Sequence, residues 1–300
     1  MKPTIIVAGS SNTDMVIKTT QIPVPGETVL GGTFFMNAGG KGANQAVAAA
    51  RLGGHIVFIC KTGNDIFGTQ ARDAFQKEGI DASFVTADAS LPSGVALITV
   101  DKNGENCIVV ASGANEQLLP ADITAATEKI KTAVVVLAQL ETPVPTIECL
   151  AELAGKEKII MVLNPAPAAR LSNELLQKIT VITPNQKEAE MLTGIAVTDQ
   201  KSAAQAALHL TAKGIQTVII TMGAQGALLL HKNKFSMIAS PKVKAIDTTA
   251  AGDVFNGALA VALAEGTAME AAVSFACRAA AIAVTRLGAQ ASAPYRNELE

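Results

Sequence analysis

Short runs of β-branched and aliphatic residues alternate along this chain with longer stretches whose apolar positions recur every three or four residues. The short runs predict strands over Thr4–Gly9, Ile56–Cys60, Ala133–Leu137, Ile159–Leu163, Val181–Thr183 and Val218–Thr221. They are nearly continuous apolar runs, the mark of parallel strands covered on both faces. The amphipathic stretches predict helices over Lys41–Leu52, Phe67–Lys77, Pro145–Leu153, Lys187–Leu192 and Ala203–Ala212, the first closed by Gly53-Gly54 and the second by Gly79. Strand and helix in alternation predict an α/β fold, a Rossmann-like layered sandwich around a mainly parallel central sheet.

Two regions break the alternation. Met15–Phe35 predicts two strands around Pro23-Val24-Pro25-Gly26 with no helix between them. Gly94–Ala111 predicts a hairpin turning at Lys102-Asn103-Gly104-Glu105, where Asn-Gly is a strong hairpin signal. The segments 13–36 and 94–112 can pair into a small sheet standing off the body. A lid and an oligomer interface are both open as its use. Gly252–Val284 predicts two Ala-rich helices that meet near Gly266-Thr267. No linker, low-complexity tract or repeat divides the chain, so residues 1–300 read as a single domain.

Composition supports a large core: 49% of residues are hydrophobic and 17% charged. There is no Trp and a single Tyr, Tyr295, and the net charge is −2 with no basic stripe, which argues against a nucleic-acid partner. No run of about 18 apolar residues is present, so no membrane span is expected. The N-terminal apolar run Ile5-Ile6-Val7 is too short for a signal-peptide core. Cys60, Cys107, Cys149 and Cys277 form no C-x-x-C pair, and the three histidines are far apart, so no zinc spacing exists. The cysteines read as reduced and mostly buried, which fits the cytoplasm.

The sharpest chemical feature is Asp247-Thr248-Thr249-Ala250-Ala251-Gly252-Asp253, set between a strand expected to end at Ile246 and a helix over Val254–Ala264. A turn of small residues opening a helix leaves backbone N–H groups free at the positive end of a dipole, which is an anion site. Asp253 has two readings. It is a good N-cap, or it is a general base that takes a proton from a hydroxyl attacking a phosphoryl group held by Ala250, Ala251 and Gly252.

The second feature, Asn37-Ala38-Gly39-Gly40-Lys41-Gly42-Ala43-Asn44-Gln45, is neither a Walker A loop nor a dinucleotide fingerprint. Its glycines admit close approach to a polyol, and Lys41 and Asn44 supply donors. Asn12 and Asp14, at the end of the first strand, and Glu141, after another, stand at the carboxyl edge where parallel sheets bind ligands. Each is equally a turn or surface residue by spacing alone. Asn185-Gln186-Lys187-Glu188 reads first as a capping box, and second as a support for Mg²⁺ through water. Thr221-Met222-Gly223-Ala224-Gln225-Gly226 is a nucleotide cradle or a hairpin turn.

These motifs, with Gly9-Ser10-Ser11-Asn12-Thr13-Asp14, Asn164-Pro165-Ala166-Pro167-Ala168 and Thr285-Arg286-Leu287-Gly288-Ala289-Gln290, resemble the ribokinase-like carbohydrate kinases over nearly all 300 residues. The stretches Gly39–Arg51 and Phe255–Leu259 look most like the members that phosphorylate D-ribose at the 5-hydroxyl with ATP. The resemblance implies Asp253 as base, with Gly252 and its neighbours as anion hole. It implies Asn12, Asp14, Gly40, Lys41, Asn44 and Glu141 around the sugar. Asn185, Thr221, Gly223, Ala224, Gly226, Gly252 and Cys277 would line the ATP site, with Glu188 organising Mg²⁺. Asp247, Thr249, Ala283, Arg286, Gly288 and Ser292 would hold a monovalent cation, K⁺ by preference. The small sheet would be a lid that also joins two subunits in a homodimer. Cys277 and Arg278 depart from the family pattern near the adenine, which leaves the purine contact in question. Three other readings remain: a deoxyribokinase or another sugar or nucleoside kinase of the same family; a sugar-responsive binding protein on this fold; and a dehydrogenase, which the missing G-x-G-x-x-G disfavours.

Overall fold

A computed structural model describes residues 2–299. The chain opens with β1 (Thr4–Ala8), β2 (Asn12–Lys18) and β3 (Thr33–Gly39), then α1 (Lys41–Arg51), β4 (His55–Gly63), α2 (Ile66–Lys77) and β5 (Asp81–Asp88). The hairpin β6 (Gly94–Val100) and β7 (Asn106–Ala111) follows, then the short α3 (Pro120–Ala125) and α4 (Thr127–Ile130). Next come β8 (Ala133–Ala138), α5 (Val144–Glu157), β9 (Ile160–Leu163), α6 (Asn173–Leu176), β10 (Val181–Ile182), α7 (Gln186–Thr193) and α8 (Gln200–Ala212). The C-terminal part holds β11 (Thr217–Thr221), β12 (Ala227–His231), β13 (Lys234–Ile238), α9 (Ala251–Ala264) and α10 (Met269–Ala283).

The main sheet runs β13-β12-β11-β10-β9-β8-β1-β4-β5, parallel from β11 through to β5, with β12 and β13 antiparallel at one edge. Alternate side chains of β1 divide the core. Ile5 and Val7 pack with α1, α2, α9 and α10 on one face, and Ile6 and Ala8 with the helices α3 to α8 on the other. The mixed α/β class and the mainly parallel sheet are as the alternation predicts. The chain order reverses between β1 and β8, so the carboxyl ends of those strands flank a crevice of the kind that binds ligands in open parallel sheets.

The two excursions pair as a second sheet in the order β3-β2-β6-β7. Its register puts Thr13, Met15 and Ile17 on one face with Phe34, Met36, Leu97 and Val109, and Asn12 and Asp14 on the other. Ile17, Phe34, Met36, Leu97 and Val109 are all exposed.

Several local readings need correction. No strand ends at Ile246: residues 239–249 form a loop, and the Ile246 amide bonds the Val284 carbonyl at the end of α10 instead of a sheet neighbour (2.7 Å). The hairpin loop is longer than an Asn-Gly turn, because the Asp101 carboxylate accepts the Asn103 and Glu105 amides (2.7 and 3.0 Å) and widens it to Asp101–Glu105. Of the cysteines, Cys60 and Cys277 are buried, Cys149 is half-buried and Cys107 is exposed on β7, so fewer are buried than expected; all four are free thiols. No helix among the described residues is long and apolar enough to cross a membrane.

The helices α1 and α9 lie unusually close, and Gly257 is the reason. A Cβ at that position would stand 2.7 Å from the Gln45 carbonyl and 2.9 Å from the Ala48 side chain. The side chains that open these two helices therefore meet.

Candidate active site

Asp253 lies in the first turn of α9, not at its cap. The N-cap is Ala250, held left-handed at φ 58°, a conformation uncommon outside glycine and frequent at functional sites. The Asp253 side chain turns inward and is 5% exposed. Its Oδ1 accepts from Gln45 Nε2 and its Oδ2 from Asn44 Nδ2, both at 2.9 Å. The capping reading of Asp253 is thus overturned, because its oxygens are committed across the helix interface. Burial pushes its titration up; Lys41, Asn44 and Gln45 pull it back down, and Glu141 opposes them. The backbone N–H groups of Gly252 and Asp253 find no hydrogen-bond partner among the described residues. A Cβ on Gly252 would meet nothing within 4 Å. Bare amides at a helix start, facing free space beside a buried carboxylate, suit an anion.

The sugar-site candidates gather around the same carboxylate. Asn12 and Asp14 belong to β2 of the small sheet, not to the end of β1, and they share one face at spacing i, i+2. Asn12 Oδ1 accepts from Asn115 Nδ2 (2.7 Å), and Asn115 also bonds the Ser11 amide (2.9 Å) and the Ser112 carbonyl (2.9 Å), so one buried amide ties both roots of the sheet together. Gly39 lies so close to Asp14 that a Cβ there would strike its carboxylate. Gly40 (φ 87°) turns the chain into α1. The Glu141 Oε2 accepts from the Lys41 amide (3.0 Å) and the Ser10 hydroxyl (2.6 Å), which fixes the start of α1 against the loop after β8. Asn44 Oδ1 is buried without a partner, a free acceptor beside Asp253.

Lys41 forms no ion pair within 4 Å among the described residues, yet it lies in the field of four carboxylates. Its own burial works to lower its titration, but Asp253, Glu141, Glu188 and Asp14 outweigh that and raise it, so the ammonium is firmly charged. Asp14 is pushed up to about 6 by burial first, then by Glu141 and Asp253, against a lowering by Lys41.

Two cavities meet at the start of α9. The larger, about 550 Å³, is lined by Asn185, Thr221, Gly223, Ala224, Gly226, Gly252 and Cys277, all seven of the nucleotide candidates. The loop 240–245 and Phe255, which carry no local motif, complete it. The smaller, about 160 Å³, holds Lys41, Glu188, Asn164, Asn256 and Asp253. Asn185, Thr221, Thr248, Ala251 and Gly252 belong to both walls. Thr221–Gly226 is the β11–β12 hairpin, and four of its residues also line the larger cavity. Burial pushes the Cys277 thiol up to about 11, so it presents a neutral, apolar wall. Asn185 and Glu188 form the capping box, with mutual bonds of 2.8 and 2.9 Å, while Glu188 still borders the smaller cavity.

Below the anion site, Asp247 joins two loops. Its Oδ1 accepts from the Thr249 amide and its Oδ2 from the Gly288 amide, both at 2.9 Å. Burial tends to raise its titration, but these bonds hold it below the ordinary carboxylate value. The Arg286 amide bonds the Ala283 carbonyl (3.0 Å), its guanidinium pairs with Glu298, and the buried Ser292 hydroxyl bonds Ala289 O (2.8 Å). The fold thus brings Asp247, Thr249, Ala283 and Gly288 together, while the Arg286 side chain points elsewhere. No cluster of three or more His, Cys, Asp or Glu suited to a metal occurs among the described residues.

The sequence pattern of the pfkB family carbohydrate kinases matches residues 2–296. The chain belongs to that family. It is 47% identical to the ribokinase of Haemophilus influenzae over 99% of this chain and 97% of that one. It is 38% identical to the deoxyribokinase of Salmonella typhimurium over 97% and 95%. It superposes on the structure of Arabidopsis thaliana ribokinase complexed with ribose and ATP at a TM-score of 0.94, with 31% identity, covering 100% of this chain and 98% of the other.

In this pfkB-family chain Arg278 lies outside the larger cavity, whereas Cys277 lines it. The Arg278 guanidinium donates to the Leu299 carbonyl (3.0 Å) and lies over Phe275. No motif announced Asn115 or Gln139, and Ser10, Asn164 and Asn256 stood in quoted motifs without a role of their own. All are buried and polar, and their partners lie far off in sequence. Buried amides are the one signal that could have marked them, because such groups must be paired, but sequence alone does not say which amides are buried.

Proposed function

We propose that the protein transfers the γ-phosphoryl group of ATP to the 5-hydroxyl of D-ribose, giving ribose 5-phosphate and ADP. One observation carries this: a buried carboxylate lies beside unpaired helix-terminal amides, where a nucleotide-sized cleft meets a lysine ringed by carboxylates. Asp253 takes the proton of the attacking hydroxyl. The new P–O bond forms at the γ-phosphorus as its bond to the β,γ-bridging oxygen breaks, and ADP leaves with that electron pair. The amides of Gly252 and Asp253 and the Lys41 ammonium receive the charge that builds on the transferring group. Asn12, Asp14, Asn44 and Glu141 hold the remaining hydroxyls, and Gly40, whose missing Cβ admits the Ser11–Asn12 backbone, lets Asn12 stand close to the start of α1.

Mg²⁺ would neutralise the ATP phosphates, held largely by phosphate and water, with Glu188 and Asn185 at the edge of the cavity as its outer support. The turn where the Asp247 carboxylate meets the Thr249 and Gly288 amides, next to the end of α10, is where a monovalent cation such as K⁺ would be held. A charge there would firm the loop that precedes the anion hole. The exposed apolar face of the small sheet supports a homodimer joined through Ile17, Phe34, Met36, Leu97 and Val109. Four unpaired thiols suit the cytoplasm.

The test is ADP release over a panel of pentoses and hexoses, with and without K⁺. D-ribose is expected to give the highest kcat/KM, with 2-deoxyribose lower by at least about tenfold because a hydrogen-bonding position goes unfilled. A preference for 2-deoxyribose would make this a deoxyribokinase and overturn the ribose reading.

A further inference from the structure

Behind Asp253 stands a row of buried amides. Gln45, fully buried on α1, donates through Nε2 to Asp253 Oδ1 (2.9 Å) and to Asn164 Oδ1 (3.0 Å). The Asn164 amide is oriented by its own donation to the Thr183 carbonyl (3.3 Å), so it offers only its oxygen to Gln45. Both partners of the Gln45 NH₂ are therefore acceptors, and its Oε1 must point the other way, into the interior. An unmet acceptor there would carry a desolvation cost. Gln139, also fully buried, meets it with an Nε2 donor at 2.6 Å. A flip of Gln45 would set its one oxygen against two acceptors, Asp253 Oδ1 and Asn164 Oδ1, and the Gln139 contact opposes it.

The row continues toward the anion hole. Thr183 Oγ1 donates to Asn256 Oδ1 (2.6 Å), and Asn256 Nδ2 donates to the Gly252 carbonyl (2.8 Å). One connected set of side chains thus touches the base at one end and the peptide of the anion hole at the other.

From this geometry we infer that Gln45, locked by Gln139, is a positioning residue that aims the Asp253 carboxylate at the attacking hydroxyl. It touches neither phosphate nor sugar; it acts through Asp253. The proposal rests on the kinase reading above. A donor to an ionised carboxylate favours the charged form, so its removal moves Asp253 titration to higher pH. Lys41 on α1, Asp14 on β2, Glu141 after β8 and Glu188 on α7 face the same carboxylate and stay in place.

The experiment compares the wild type with Gln45→Leu, Gln139→Leu and the double variant by single-turnover kinetics across pH. Gln45→Leu is expected to slow the chemical step by roughly 10- to 100-fold, as loss of a hydrogen bond to a charged group would. The sugar KM should stay nearly constant, and the acid limb should move up by about one pH unit. Gln139→Leu should give a smaller change of the same sign, and little further loss when added to Gln45→Leu. The double variant removes both glutamine amides together, so neither is left facing an apolar side chain, and it serves if the single one does not fold. Infrared titration of the Asp253 carboxyl, assigned with Asp253→Asn, reads the same displacement without turnover and so stands even if ribose is not the substrate. An unmoved carboxyl titration with an unchanged single-turnover rate in folded Gln45→Leu would overturn the inference. So would strict additivity of the two substitutions.

Discussion

The floor of the site and its roof are built by opposite means. In the floor, α1 and α9 bring Asn44, Gln45 and Asp253 into a buried set in which both carboxylate oxygens are already bonded and Asn44 Oδ1 stays open. In the roof, β2 carries both Asn12 and Asp14 on a thin sheet, half-exposed, with apolar side chains facing outward. The floor fixes its carboxylate from within the fold and leaves one acceptor open. The roof leaves unfilled demands: a carboxyl held in unfavourable surroundings and an apolar face open to water. On the proposed function, chemistry that needs fixed geometry would sit on the first, and recognition that needs opening and closing on the second.

Substitutions should separate the two. The largest effect is expected from Asp253→Asn, which should lower kcat by about 10²–10⁴ as loss of a general base does. Calorimetry should still find sugar binding. Asp14→Asn should act differently, cutting kcat/KM for the sugar by roughly 10- to 100-fold, mostly through KM. Its pH behaviour sharpens the contrast. Asp14 titrates at about 6 in the fold against 3.8 for a free carboxyl, so the folded chain holds a proton there that the unfolded chain has lost. Its contribution to stability is therefore complete at low pH and declines as pH rises through that window. Asp14→Asn should raise the melting temperature at neutral pH and lose that advantage below about pH 4, where both forms are neutral. Over the same range the wild-type sugar KM should climb as pH falls below 6, and the variant's should not.

Gly39→Ala should have a milder result, because the added methyl meets the movable Asp14 side chain and not backbone: a raised sugar KM with a nearly normal melting temperature. The smallest effect on chemistry is expected from Leu97→Glu on the outer face of the roof. Sedimentation should shift toward monomer while kcat in saturating sugar is little changed.

The same division decides what could be read from the chain. β1, β4, β8 and β11 are buried on both sides and announce themselves as unbroken apolar runs, and the helices between them follow from periodicity. The edge strand β5 mixes polar and apolar residues, and β12 and β13 share a turn through left-handed Lys232 and Asn233 that no glycine signals, so these passed unread. Ile246 misled for the reverse reason: it is apolar but 63% exposed, and its backbone partner is a helix end. Within the site, residues that share a contiguous motif were legible because a turn or helix start imposes a local geometry. The pairing of Gln45 with Gln139, or of Asn12 with Asn115, joins residues 94 and 103 positions apart, and no local rule encodes it.

Gly257 touches no substrate, yet it acts as a gauge block for the reaction. Two helices hang the reacting carboxylate and its neighbours on opposite sides of a gap whose width is set by a single missing methyl. Gly257→Ala should force them apart at a cost of about 1–3 kcal/mol, measured by denaturant unfolding. It should slow turnover as well, because Gln45 and Asp253 would drift out of reach with neither of them altered. A methyl group one helical turn beyond Asp253 would thus reach that carboxylate only through the spacing of the two helices.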